Sequence, residues 1–120
     1  MSTKKTTLEH SFNGQYYPCC ASLTMGVIGG KWKSVILFHL IEGPKRYSAL
    51  RKAMPTVTER TLSLQLKKLE EDGIISRKVF HKKPPLKVEY AFTELGLTLV
   101  PLIKAIADWG ESVSKEKTIG

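Results

Sequence analysis

Apolar residues recur along the chain with two periods, and the change from one to the other divides it into elements. Leu62, Leu66 and Leu69 stand at i, i+4 and i+7, which predicts a helix from about Glu59 to Asp72 with one buried stripe. Thr58 suits its N-cap, Glu59 lies on the positive end of the helix dipole, and Gly73 suits its stop. The face opposite the stripe carries Arg60, Leu64, Lys67 and Glu71, with Ser63 and Lys68 on its flanks. A shorter helix precedes it, capped by Ser48, turned inward at Leu50 and Met54, and stopped by Pro55; Arg51 and Lys52 face outward. Two helices come earlier. Cys19 to Val27 carries Leu23 and Val27 at i, i+4, and Trp32 to Ile41 fills one face with Trp32, Val35, Ile36, His39 and Leu40. Gly29-Gly30 separates these two, and Gly43-Pro44 ends the second.

After Gly73 the period shortens to two. Ile74 to Phe80 is rich in β-branched and aromatic residues, and Val88, Tyr90 and Phe92 alternate with Glu89 and Ala91. Pro84-Pro85 is unsuited to a strand interior and marks the tip between two strands. Lys45, Arg46 and Tyr47 read as a short strand pairing with that ribbon. The helical period then returns. Thr93 caps a helix to about Val113, in which Leu95, Leu99, Leu102, Ile106, Trp109 and Val113 alternate by four and three, the spacing of a helix-packing seam. Val100, Ile103 and Ala107 widen the face. Pro101 lies inside the pattern, and an interior proline costs about 3 kcal/mol or more, which predicts a kink or break near Thr98. Residues 1–16 are polar with no apolar period and read as an arm.

Helix, turn, basic helix and a two-stranded ribbon, in this order, describe a winged helix-turn-helix. The fold class expected is α+β, mostly helical, with added N- and C-terminal dimerisation helices. The parts are a flexible arm over 1–18, one domain over 19–113, and a flexible tail over 114–120. Within the domain the helix-turn-helix occupies about 48–73, the wing about 74–92 and the dimerisation helix about 93–113. A chain of 120 residues has room for one modest core.

Charge narrows the partner. Residues 45–87 hold twelve basic and four acidic side chains, while the remaining seven of each sign cancel, so the whole formal excess of +8 sits in the helix-turn-helix and wing. A localised cationic surface suits a polyanion, since each phosphate it neutralises releases counterions. Charge by itself equally fits a solvated surface; the ordered set of elements favours duplex DNA. Thr58, Arg60, Ser63, Leu64, Lys67 and Lys68 are the candidate contacts of the recognition helix, with Arg60, Ser63, Leu64 and Lys67 facing base edges. Lys82, Lys83 and Lys87 are the candidate contacts of the wing. The face formed by Leu95, Leu99, Leu102, Ile106, Trp109 and Val113 is more apolar surface than a chain of this size should leave wet, and is assigned to a twofold partner; full burial within the domain is the competing reading.

The chain resembles the HxlR family of bacterial winged helix-turn-helix transcription regulators, a branch of the MarR-like group. The resemblance rests on Cys19, Ile28-Gly29-Gly30-Lys31-Trp32-Lys33, Gly43-Pro44 with Arg46-Tyr47, Leu62-Ser63 with Leu66, and Leu69-Glu70-Glu71-Asp72-Gly73. It continues through Pro84-Pro85 with Val88-Glu89-Tyr90, Thr93-Glu94-Leu95-Gly96 and Asp108-Trp109-Gly110. It implies a homodimeric repressor or activator with two wings and two recognition helices, and hence an inverted-repeat operator. It also implies that Cys19 occupies the place of the thiol with which some members sense quinones, aldehydes or oxidants. Family members often have Cys-Pro where this chain has Cys19-Cys20, and many carry a polar residue in place of Leu64 and an Arg in place of Gln65.

A thiol at a helix N-terminus has a lowered pKa, which favours the reactive thiolate, although free cysteines are also commonly small buried hydrophobes. Adjacent cysteines seldom bridge one another, and two cysteines with no metal-binding spacing fit a reducing cytoplasm, with no cofactor and no metal expected. No apolar run approaches the roughly 20 residues of a membrane span. His10, His39 and His81 are scattered and no nucleophile set or phosphate loop is evident, so no enzyme is expected. The rival to a DNA-binding regulator is a winged helix that contacts proteins alone.

Overall fold

A computed structural model of the chain describes residues 10–81, 83–84 and 87–114. Eleven elements follow one another in this region: β1 (His10–Phe12), β2 (Gln15–Tyr17), α1 (Cys20–Ile28), α2 (Lys33–Leu40), β3 (Lys45–Arg46), α3 (Tyr47–Ala53), α4 (Glu59–Glu71), β4 (Ile75–His81), β5 (Lys87–Phe92), α5 (Glu94–Leu97) and α6 (Val100–Val113). The fold is the expected winged helix-turn-helix, α+β and mostly helical.

The core collects the stripes read from the sequence. Ile36, Leu37 and Leu40 of α2, Leu50 of α3, Leu62, Leu66 and Leu69 of α4 and Ile103 of α6 are buried together with Ile74, Ile75 and Tyr90. Each such aliphatic side chain contributes roughly 1.5–3 kcal/mol by leaving water. The three leucines of α4 are what hold the recognition helix on the domain with its polar face outward. Trp32, expected in the core, is half-buried and packs against its edge.

α4 is bounded as its sequence predicts. The Thr58 Oγ1 accepts from the Thr61 N–H at 3.1 Å. At the other end the Gly73 N–H donates to the Glu70 carbonyl and the Ile74 N–H to the Leu69 carbonyl, both at 3.0 Å. That pair of bonds is a Schellman ending, and Gly73 adopts the left-handed conformation it requires, with φ of 75°. The chain is thereby redirected into β4. β4 and β5 pair antiparallel, and β3 adds to β5 with Lys45 opposite Tyr90 and Arg46 opposite Glu89, giving the sheet order β3-β5-β4.

Three expectations are corrected. Ser48 is not the cap of α3: the helix begins at Tyr47, directly after the β3 pairing ends, and Arg46 in extended conformation occupies the N-cap position. Arg51 is not an outward cation: its guanidinium donates to the Val57 carbonyl and so secures the turn of the helix-turn-helix. The arm expected over 1–18 is, at residues 10–17, a β-hairpin. Its two-residue turn has Asn13 at φ of 53° and Gly14 at φ of 81°. Two successive positive φ values suit a type I′ turn, whose twist matches that of the flanking strands. Residues 1–9 and 115–120, the rest of the expected arm and most of the expected tail, lie outside the described residues.

The break foreseen near Thr98 is present. α5 ends with Thr98 as its C-cap, and Pro101 lies in the first turn of α6, where a missing N–H costs nothing. α5 is pressed against the start of the wing. Thr93 Oγ1 donates to the Gly73 carbonyl at 2.6 Å and accepts from the Gly96 N–H at 3.0 Å. A Cβ on Gly96 would stand 2.0 Å from the Ile74 carbonyl oxygen, so only glycine allows this approach.

Candidate nucleic-acid interface

The polar face of α4 is open. Arg60, Ser63, Leu64, Lys67 and Lys68 are all exposed, as is Thr58 at the N-cap. Leu64 leaves 48% of its surface accessible, so its methyl groups are available on this face. Guanidinium, hydroxyl, alkyl and ammonium groups thus share one helical surface, the set that base edges and phosphates can engage in a major groove.

The wing lies beside this helix. Lys83 is exposed near its tip, and Lys87 is half-buried where β5 begins. Lys82, also expected at the tip, lies outside the described residues.

Between α4 and the wing the structure holds a groove that no local pattern in the sequence announces. It has a volume of about 540 Å³ and is lined by Arg46, Tyr47 and Ser48 at the β3–α3 junction, Ser63 of α4, and Arg77, Lys87, Val88 and Tyr90 of the sheet. The Tyr47 hydroxyl and Ser63 Oγ stand 3.4 Å apart across it. Arg46 and Arg77 are 31 positions apart in sequence; pairing of both β3 and β4 with β5 brings them to one place. The signal available beforehand was the expected pairing of Lys45 and Arg46 with the ribbon. Among the described residues the one ion pair is Lys45 with Glu42, at 2.7 Å, so Arg46, Arg77 and Lys87 have no carboxylate partner there. Glu89, the acid of β5, stands opposite Arg46 in register and lines an adjoining hollow with Lys45 and Lys52, which Arg46 and Ser48 also border.

The second candidate feature is the thiol pair. Both cysteines are exposed and free. Cys19 is the N-cap of α1: its Sγ accepts from the Ser22 N–H at 3.4 Å, and the Cys19 N–H donates to Ser22 Oγ at 3.3 Å. Hydrogen bonding to Ser22 lowers the Cys19 pKa, first through the Ser22 backbone N–H on the sulfur and then through the Ser22 side chain. Cys20 points elsewhere, with its Sγ 3.7 Å from His10 Nδ1 of the hairpin. Exposure removes the reading of the two thiols as buried hydrophobes.

The seam expected on the C-terminal helix is largely solvent-facing. Leu95, Leu102, Ile106, Trp109 and Val113 are exposed, Trp109 to 70%, while Leu99 is half-buried and Ile103 alone of the two rows is fully covered. Met25 and Phe38 add exposed apolar surface on α1 and α2. The reading that the whole face is intramolecular core does not hold in this chain.

Among the described residues no group of three or more His, Cys, Asp or Glu side chains is placed to hold a metal ion. No helix among them is long and apolar enough to cross a membrane.

Comparison with known proteins agrees with this architecture. Residues 27–118 match the model of the HxlR-like helix-turn-helix family. The chain is 46% identical over 111 residues to YdeP of Bacillus subtilis, named as an uncharacterized HTH-type transcriptional regulator, covering 92% of this chain and 85% of that one. A solved structure of the redox regulator HypR in its oxidized form superposes with a TM-score of 0.76 at 46% identity, over 82% of this chain and all of the other. The reduced form of the transcriptional regulator YodB from Bacillus subtilis gives a TM-score of 0.66 at 27% identity, over 83% of this chain and 98% of that one.

Proposed function

Since the chain belongs to the HxlR-like helix-turn-helix family, we propose that it is a homodimeric, sequence-specific DNA-binding transcription regulator whose activity responds to electrophiles or oxidants through Cys19. The observation that carries the DNA reading is the exposed face of α4, where Arg60, Ser63, Leu64 and Lys67 stand clear of the domain beside a cationic wing. In a twofold pair the two recognition helices enter successive major grooves about 34 Å apart, so the operator is an inverted repeat. Arg60, Ser63, Leu64 and Lys67 read base edges; Lys68, Lys82, Lys83 and Lys87 hold the backbone. Leu95, Leu99, Leu102, Ile106, Trp109 and Val113 supply the contact between the two copies. The protein works in the cytoplasm and performs no catalytic step.

The thiol reading is supported by the exposure of Cys19, by the bonds from Ser22 that favour its thiolate, and by likeness to a redox regulator. A thiolate attacks an electrophilic carbon or the disulfide-forming sulfur of an oxidised partner far faster than a thiol does.

Binding to labelled duplexes, followed by fluorescence anisotropy over a range of salt, tests the proposal. Arg60→Ala should lower affinity and alter base preference, whereas Lys83→Ala should weaken all duplexes alike. A purified protein that ignores duplex DNA even at low ionic strength would leave the protein-contact reading of the fold in its place. For the thiol, loss of operator binding on diamide treatment should disappear in Cys19→Ser; a variant that still responds removes Cys19 from the role.

A further inference from the structure

The geometry points to a phosphate seat in the groove between α4 and the wing, with Arg46, Arg77 and Lys87 as its cations and the Tyr47 and Ser48 hydroxyls as its neutral donors. The ligand is a phosphodiester of the DNA backbone, and the inference rests on the DNA-binding reading given above.

Three observations carry it. The first is composition: every charged residue lining the groove is basic, and Glu89, opposite Arg46 in register, lines the adjoining hollow that Arg46 also borders. The second is that these cations are uncommitted. Arg46 and Arg77 are exposed, and neither they nor Lys87 meets a carboxylate within ion-pair distance among the described residues. In Arg51 the same chain shows the contrary case, a guanidinium consumed by a carbonyl of its own turn. Like charges brought together without ion pairs raise the energy of the free protein, and an anion between them lowers it. The third is position. A helix in the major groove and a wing at the neighbouring minor groove are separated on the duplex by one sugar–phosphate strand. The surface that must face that strand is the one between α4 and the wing, and Ser63 on one wall and Lys87 on the other mark the groove as that surface.

Arginine suits the task, because its planar fork donates two parallel bonds to phosphate oxygens. Phosphate contacts fix register and carry no base information. The seat therefore sets how deeply α4 enters the major groove and leaves the choice of bases to Arg60, Ser63, Leu64 and Lys67. The same chemistry would also accept a free inorganic phosphate, and the test separates the two sources.

The experiment compares wild type, Arg46→Ala, Arg77→Ala and Arg60→Ala on two labelled duplexes, one of random sequence and one recovered by selection with the wild-type protein. Circular dichroism confirms the fold of each variant; both arginines are exposed, so the core is untouched. The seat predicts that Arg46→Ala and Arg77→Ala each weaken both duplexes by the same factor, roughly tenfold at low salt. Each should also lower the slope of log affinity against log salt by about 0.9 per seat lost. The ratio of the two affinities stays at the wild-type value. Wild-type affinity and slope in both variants, with Arg60→Ala still impaired, would overturn the seat and leave the DNA-binding function standing. Failure of the wild type itself on every duplex would overturn both. A parallel arm titrates inorganic phosphate at constant ionic strength while melting is followed. Saturable stabilisation that Arg77→Ala abolishes, alongside unchanged duplex binding, would assign the groove to a small anion and overturn the phosphodiester reading.

Discussion

The Asn13 side-chain amide donates to the Asp72 carboxylate at 2.7 Å and to the Glu71 carbonyl at 3.1 Å, so the tip of the N-terminal hairpin is fastened to the last turn of the recognition helix. Two segments 59 positions apart in the chain are joined by one side chain. The contact satisfies a carbonyl that the end of α4 would otherwise leave to water. It also connects α4 to the hairpin that carries His10, the neighbour of Cys20.

Asn13→Ala should remove both bonds. The groups are exposed, so the expected loss is small, about 0.5–1 kcal/mol in urea unfolding. The more telling readout is hydrogen exchange, which should speed up at residues 10–17 and in the last turn of α4 while the first turn of α4 keeps its protection. Unchanged exchange at the hairpin would mean that the Asn13 link does not hold it in place.

Gly96→Ala should be far more damaging than its size suggests. The new methyl meets the Ile74 carbonyl oxygen at 2.0 Å and the Phe92 ring at 2.9 Å, and the oxygen belongs to backbone that cannot swing aside. Overpacking of this kind costs about 1–3 kcal/mol. Thermal unfolding should show a drop of several degrees, whereas Gly110→Ala, where a Cβ meets nothing, should hold or raise the midpoint. Equal midpoints for the two variants would refute the close packing of α5 on the wing root.

Cys19 should alkylate with a pH midpoint below that of an ordinary thiol, because bonds from Ser22 favour its thiolate. In a Cys20→Ser background, iodoacetamide rates should titrate at the lower value, and Ser22→Ala should move the midpoint upward by removing the side-chain bond while keeping the backbone one. The sign for stability follows from the same shift. A depressed pKa adds to the stability of the fold above the ordinary thiol value, and that addition is lost as pH falls through the lowered one. A midpoint that Ser22→Ala leaves where it was would show that the cap does not tune the thiol.

Trp109→Ala should leave the stability of the single chain within about 0.5 kcal/mol, since the ring is 70% exposed. It should weaken association of two copies by about 2 kcal/mol, near 30-fold, if the ring is a central anchor of the twofold contact. Sedimentation equilibrium measures both species. A wild type that is monomeric at every concentration reached would remove the twofold contact from the function proposed.

Much of this was legible in the chain. The stripe Leu62, Leu66, Leu69 fixed both the existence of α4 and the direction of its polar face, because a helix that buries one side must expose the other. Pro101 located the break between α5 and α6 through a simple loss of an N–H. The hairpin was less legible. Its strands are three residues each, too short for a period of two to stand out, and the one mark it carries is Asn13-Gly14, a dipeptide suited to two positive φ values. The groove could not be read at all from local pattern. Arg46 and Arg77 become neighbours only through strand register, and Arg51, which looks equally available in sequence, is taken by a carbonyl six residues away.

The interruption at Thr98 has a mechanical meaning. α5 is bolted to the wing by Thr93 and Gly96, but Pro101 can offer no N–H to the preceding turn, so no unbroken ladder of backbone bonds runs from wing to α6. The C-terminal segment is held instead by Ile103, buried in the core against α2, so its bearing on the wing is set by that packing and by the joint at residues 98–101. In a two-copy assembly, exchanging this joint for a relative's should alter the gap between half-sites in selected operators and leave the half-site sequence as it was.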